Sequence, residues 1–247
     1  MNLKTVLICG LISLALTVAA GAIAIPVLAK LKAGQPVLGY VKTHEEKNGT
    51  PTMGGLFFIT VAALVFFLSG GGKSRVATVS VTFGLAFLAV GFLDDYLKVK
   101  FRKNEGLKAY QKIIFQAAIA LVAGAFVYKN GLTPLFVPFA KITVEPGWVS
   151  VPLTAFIFIA ITNSVNLTDG LDGLAGGASA AYLLFISVII VAECSFYDFF
   201  GVKEESDGLV LLSASLIGAI LGFLVFNVSG AKVFMGDSGS LSLGGFI

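Results

Sequence analysis

Long apolar stretches separated by short polar ones set the pattern of this chain. Runs near 5–29, 53–70, 76–93, 113–129, 151–168, 173–192 and 209–228, with a further one from about 239, approach the length that crosses a bilayer as a helix, about 20 residues. None alternates with the period of two that a barrel strand requires, so the expected spans are helices. With no water in the hydrocarbon core, each must satisfy its backbone polar groups internally. The pattern predicts an all-α polytopic membrane protein of about eight transmembrane helices, a single domain over residues 1–247. One long connection, GLTPLFVPFAKITVEPGW, holds three prolines and the β-branched run ITV, and reads as a hairpin or irregular loop.

Composition sharpens this. The chain is 57% hydrophobic and only 13% charged, against about 25% charged residues in a soluble domain; its mean hydropathy is +0.94. The N-terminus begins like a signal peptide, but its apolar run of about 25 residues exceeds the usual 7–15, so a retained first helix is expected. Cys9 and Cys194 have neither metal spacing nor enough company for a disulfide framework, and carry no assigned chemistry.

Charge orients the spans. Alternating them places 11 Lys and Arg residues on one side (30, 32, 42, 47, 98, 100, 102, 103, 108, 112 and 232) and 6 on the other. The basic side is therefore expected to be cytoplasmic, with the N-terminus outside.

Against that frame five aspartates stand out: Asp94 and Asp95 in FLDDYLKV, Asp169 and Asp172 in NLTDGLDGLAGG, and Asp237 in FMGDSGSLSLGG. Each ends a long apolar run, and alternation puts all five on the lysine-rich side although they were not used to choose it. A charged side chain at membrane depth costs roughly 2.5–3.5 kcal/mol or more, so such an acid is functional by default. Five converging ones predict a divalent-metal and phosphate site at the lipid–water boundary.

Each motif also has a plain structural explanation. Six basic residues after Asp95 serve as a stop signal and anionic-lipid contact, each worth about 1 kcal/mol, yet the adjacent acids are left unexplained. Neighbouring carboxylates repel unless a cation or a shared proton relieves them. Asn166, Asp169 and Asp172, three residues apart, would share one face of a helix. The glycines at 170, 173, 176 and 177 suit close helix approach or a ligand against bare backbone. KVFMGDSGSLSLGG lacks the Gly-Lys-Ser/Thr ending of a P-loop, but helix-start amides favour an anion, to which Asp237 would bring a metal. GTPTMGG alone is a capping turn, and His44, the only histidine, is a solvated surface residue.

Taken in order, TPTMGG, FLDDYLKV, NLTDGLDGLA and FMGDSGSLSLGG resemble the phospho-N-acetylmuramoyl-pentapeptide-transferase family (MraY), within the polyprenyl-phosphate N-acetylhexosamine-1-phosphate transferases, over residues from about 44 to 247. The resemblance implies a multi-pass enzyme of the bacterial inner membrane, ten-helical, often a homodimer, with a cytoplasmic cleft. It implies transfer of phospho-MurNAc-pentapeptide from UDP-MurNAc-pentapeptide to undecaprenyl phosphate, giving lipid I and UMP in peptidoglycan synthesis, with Mg²⁺ as cofactor. Membrane lipid is the other expected partner, and no nucleic acid is expected. Carried onto this chain, Asp237 resembles the magnesium ligand, Asp94 and Asp95 the essential pair, and Asn166 and Asp169 the polar catalytic cluster. Gly170, Leu171, Asp172, Asn227 and Phe234 match positions that hold the uridine; Lys47, Thr52, Lys98 and Lys112 match phosphate-side and cleft-rim positions.

The family's histidine-rich loop between its last two helices has no counterpart before Ile247, so only part of the ten-helix plan is expected here. The related N-acetylglucosamine-1-phosphate transfer is the alternative within the class. A cation-coupled transporter is the alternative outside it, distinguished by sites near the midplane rather than at one boundary.

Overall fold

The computed structural model of the chain describes residues 2–31, 49–101, 106–137, 139–196, 203–228 and 230–247. Lys47 and His44 lie outside the described residues. Eight helices appear among them: α1 (Leu3–Lys30), α2 (Gly55–Leu68), α3 (Arg75–Phe101), α4 (Ala109–Lys129), α5 (Ser150–Thr168), α6 (Leu174–Phe196), α7 (Lys203–Asn227) and α8 (Gly236–Phe246). Two short strands, β1 (Leu135–Val137) and β2 (Ile142–Val144), pair antiparallel between α4 and α5, as the proline-rich connection suggested.

Six of these helices are long and apolar enough to cross a membrane. The other two expected spans are shorter, α2 with 14 residues and α8 with 11. Helix α2 is cut at its start because residues 51–55 pair their backbone with 234–235: Phe234 donates to the Pro51 carbonyl at 2.8 Å, and Gly54 and Gly55 donate to Phe234 and Met235 at 2.9 Å. It is cut at its end by Gly70, whose φ of 86° lies in the left-handed region.

Helix α7 is the most deeply buried span and packs on α1, α2 and α6. Its seam with α1 is built from small residues. A Cβ on Gly218 would lie 2.1 Å from the Gly10 carbonyl oxygen, so the two backbones approach as closely as glycine permits. A second layer consists of α3 against α8, and of α4 and α8 against α5. Buried amides lock α4 to α5, where Asn163 donates to Gln116 Oε1 at 2.7 Å. At the end remote from the aspartates, Glu205 of α7 accepts the Arg75 and Val76 amides at 3.2 and 2.8 Å and so caps α3.

The layering matters because it brings one end of α3, α4, α5 and α8 together. Asp94 and Asp95 lie in the last two turns of α3, Lys112 in the first turn of α4, Asn166 in the last turn of α5, and Asp237 in the first turn of α8.

Candidate active site

Three carboxylates meet at this junction. Asp94, Asp95 and Asp237 each offer an oxygen within 4.8 Å of the others, with Asp94 and Asp95 fully buried. Two ammonium groups sit among them. Lys98, one turn beyond Asp94, pairs with Asp94 Oδ2 at 2.6 Å and with Asp237 Oδ2 at 2.9 Å. Lys112 arrives from α4, 2.5 Å from Asp237 Oδ2 and 3.4 Å from Asp94 Oδ2. Asn166 completes the ring, donating to Asp237 Oδ1 and to Ser240 Oγ, both at 2.8 Å.

The adjacent acids are not equivalent. Asp94 faces the lysines and also accepts the Leu107 amide at 2.7 Å. Asp95 accepts the Asp237 amide on Oδ1 at 3.1 Å and the Ser238 amide on Oδ2 at 2.9 Å. These are free amides of the first turn of α8, so Asp95 is that helix's cap, supplied from another helix. The sequence placed an incoming anion at those amides; the anion there is Asp95, and the correction follows from the close packing of α3 on α8. A Cβ on Gly91 would stand 2.1 Å from the Asp237 carbonyl oxygen, and one on Gly236 2.5 Å from Asp95 Oδ2 and 2.7 Å from Thr52 Oγ1. Buried Thr52, one of the expected phosphate-side and cleft-rim positions, thus lies against the same turn.

The NLTDGLDG segment departs from its helical reading. Helix α5 stops at Thr168, and the chain turns through 169–173, with Gly173 at φ 76°, before α6. Asn166, Asp169 and Asp172 therefore do not share a helix face. Asp169 nonetheless feels the charges of Asp237, Asp95 and Asp172, and its pKa is pushed up to about 8, first by burial and then by those three neighbours. All five aspartates therefore belong to one electrostatic neighbourhood.

The remaining expected residues fall into two groups. Asn227 is committed within the fold: its Oδ1 accepts the Gly173 amide at 2.8 Å and its Nδ2 donates to the Val233 carbonyl at 2.9 Å. It ties the 169–173 turn to Val233. Phe234 is held through its backbone against 51–54, and Gly170 and Leu171 are exposed at the open end of the turn. Sequence reasoning missed Gly91, Leu107 and Ser240. A glycine inside a span reads as ordinary packing, and a backbone donor such as that of Leu107 leaves no sequence signal.

Comparison with known proteins fits this geometry. Residues 76–247 match the model of glycosyl transferase family 4, and residues 47–59 match phospho-N-acetylmuramoyl-pentapeptide-transferase signature 1. The phospho-N-acetylmuramoyl-pentapeptide-transferase of Clostridioides difficile (strain 630) is 41% identical over 240 residues, 96% of this chain and 71% of that protein. The chain belongs to the phospho-N-acetylmuramoyl-pentapeptide-transferase family. Family members of the same name from Desulfitobacterium hafniense (strain DSM 10664 / DCB-2) and Listeria monocytogenes serotype 4b (strain CLIP80459) are 41% and 42% identical, covering 95% and 90% of this chain and 71% and 67% of their own. Membership makes the chain a multi-pass membrane glycosyl-1-phosphate transferase. It also accounts for acids gathered at helix ends rather than at a midplane, which the transporter alternative required.

Proposed function

We infer that the chain transfers phospho-MurNAc-pentapeptide from UDP-MurNAc-pentapeptide to undecaprenyl phosphate, giving lipid I and UMP. The observation that carries this reading is the junction of Asp94, Asp237, Lys98 and Lys112, contributed by three helices of a chain that also bears the family signature. Phosphoryl transfer depends on positioning and charge neutralisation more than on covalent chemistry, and this site offers both.

Mg²⁺ is the proposed cofactor, and the residues fit it. Magnesium takes one or two carboxylates and otherwise keeps water and phosphate oxygens; here three carboxylate oxygens lie within 4.8 Å of one another, and among the described residues two ammonium groups offset them. Asp237 would be the ligand, with Asp94 beside it, and the ion would neutralise charge on the diphosphate. Asp95 belongs to the same carboxylate cluster, but both its oxygens face the backbone of α8 and accept its first amides. It acts instead as a positioning residue, fixing α8 and hence Asp237.

Lys98 and Lys112 are placed to receive phosphate oxygens, since each ammonium keeps donor capacity beyond its carboxylate contacts. The acceptor lipid phosphate has a second pKa of about 6 and needs little deprotonation at neutral pH. Asp94 therefore orients the nucleophile more than it removes a proton. Asp169 and Asp172, with Gly170 and Leu171, line the turn that would meet the uridine, and Asn227 holds that turn in place. The lysine-rich side carrying this site supports a cytoplasmic orientation, and the bacterial relatives support the inner membrane. A homodimer remains the quaternary state that the resemblance implies.

The test is release of UMP by the purified chain in lipid, with polyprenyl phosphate and Mg²⁺, comparing UDP-MurNAc-pentapeptide with UDP-N-acetylglucosamine. Turnover of the first alone supports the reading. Preference for the second moves the chain to the sister reaction, and undiminished release by Asp237→Asn removes Asp237 from the site.

A further inference from the structure

The hairpin between α4 and α5 stands apart from the active site. Helix α4 enters beside Asp237 through Lys112 and α5 leaves beside it through Asn166, so β1 and β2 lie at the opposite end of both helices. Helix α4 has 21 residues, which at about 1.5 Å each span about 30 Å, the thickness of the hydrocarbon core. The hairpin's roots are thereby fixed at the far membrane–water boundary.

Its surface chemistry is the reverse of a water-facing hairpin. The register pairs Leu135 with Val144 and Val137 with Ile142, so four aliphatic side chains share one face, with Phe136 and Thr143 on the other. An antiparallel hairpin in water puts polar residues on its open face. Here both strands are exposed along their whole length, and the four aliphatic side chains keep 37–53% of their surface open. Phe139 in the turn is 100% exposed, and Trp148, just before α5, is 72% exposed. A lone two-stranded hairpin is marginal in water.

The exposed apolar surface is continuous with the surface that meets lipid. On α4 it includes Val122 and Tyr128, and around the start of α5 Val149 and Phe156. Lys129 and Lys141 add exposed cations at either end of the hairpin. Aromatic rings with cationic neighbours are the side chains that settle at headgroup depth.

We propose that the 135–144 hairpin and Trp148 lie in the headgroup layer of the leaflet remote from the aspartates, with the aliphatic face toward the acyl chains. The hairpin anchors the α4–α5 pair at a fixed depth, and because Lys112 and Asn166 ride on those helices, the anchor also sets the depth of the catalytic junction.

Trp148 is the only tryptophan in the chain, so its fluorescence reports this directly. The full chain is reconstituted in phosphatidylcholine vesicles containing lipids brominated either near the headgroup end or at the tail end of the acyl chain. A second reporter, Phe139→Trp in a Trp148→Phe background, probes the turn itself. Both emissions should be blue-shifted, lose roughly half their intensity to the shallow bromines and less to the deep ones, and resist aqueous iodide. Emission like that of free tryptophan with full iodide quenching would overturn the proposal. Shielding from both iodide and bromines would also overturn it, assigning the face to a protein surface such as a second copy. Quenching at Trp148 but not at the Phe139→Trp reporter would confine contact to the start of α5 and equally defeat it.

Discussion

Asp95 on α3 accepts the backbone amide of Ser238 on α8 at 2.9 Å, and with its second oxygen that of Asp237 at 3.1 Å. The carboxylate that looks in sequence like half of a catalytic pair is the N-terminal cap of the helix carrying the other key acid. Asp95→Asn keeps the shape but turns an NH₂ group toward one of those amides. A buried donor left without its acceptor costs about 1–3 kcal/mol. A displacement of Asp237 by about 1 Å would lower turnover by about 100-fold. Asp94→Asn should lose turnover with a smaller loss of thermal stability, because its oxygen can still accept the Leu107 amide. Thermal unfolding in detergent beside UMP release separates the two; equal stability of both variants would refute the capping role.

Lys98 and Lys112 hold the oxygens that a divalent cation would use, so they both assist substrate binding and compete with the metal. Lys112→Met should raise the KM for the UDP-sugar and lower kcat/KM by roughly 10–100-fold, since a charged phosphate contact is lost. The same change should decrease the Mg²⁺ concentration needed for half-maximal rate by about tenfold, because a positive charge is removed beside Asp237. Magnesium titration of the variant is the decisive measurement. An increased requirement would mean that Lys112 supports the metal rather than opposing it.

Glycines give a paired test of the α3–α8 contact. Gly91→Ala would push a methyl group to 2.1 Å from the Asp237 carbonyl oxygen, where backbone cannot yield cheaply. Overpacking of this kind costs about 1–3 kcal/mol, and it should reduce turnover as well as stability. Gly177→Ala on α6 meets nothing within 4 Å and should be neutral or stabilising by up to about 1 kcal/mol. If both variants behave alike in thermal unfolding, the close approach of α3 and α8 does not govern the site.

The eight helices and the gathering of the aspartates were legible because apolar runs and acids at membrane depth are strong signals. The start of α2 was less so, because it is set by backbone pairing between residues 51–55 and 234–235, which lie far apart in the chain. The division of labour between Asp94 and Asp95 was hidden for a geometric reason. Successive helical residues diverge by about 100°, so one carboxylate points to the lysines and the other to α8, and sequence cannot tell which until the neighbours are placed. Lys98, one turn from Asp94, has the spacing of an ion pair and matches the phosphate-side and cleft-rim positions of the resemblance, but only the fold shows that it also reaches Asp237. Asn227, a site position by resemblance, also has a structural role that no sequence pattern shows: it accepts the Gly173 amide and donates to the Val233 carbonyl.

Asp169 supplies the pH prediction. Its carboxyl is only half-covered at the surface, yet burial and the charges of Asp237, Asp95 and Asp172 hold its pKa near about 8, against about 3.9 in an unfolded chain. The folded state therefore binds this proton more tightly than the unfolded state, and stability falls as pH rises from about 4 to about 8. Asp169→Asn cannot ionise, so its thermal midpoint should gain on that of the parent across this window and run parallel below it. Magnesium at Asp237 would weaken the repulsion, so the gap between the two proteins should narrow when the metal is added and widen with chelator. Parallel midpoints from pH about 4 to about 9, with and without chelator, would show that Asp169 ionises normally and lies outside the field of the cluster.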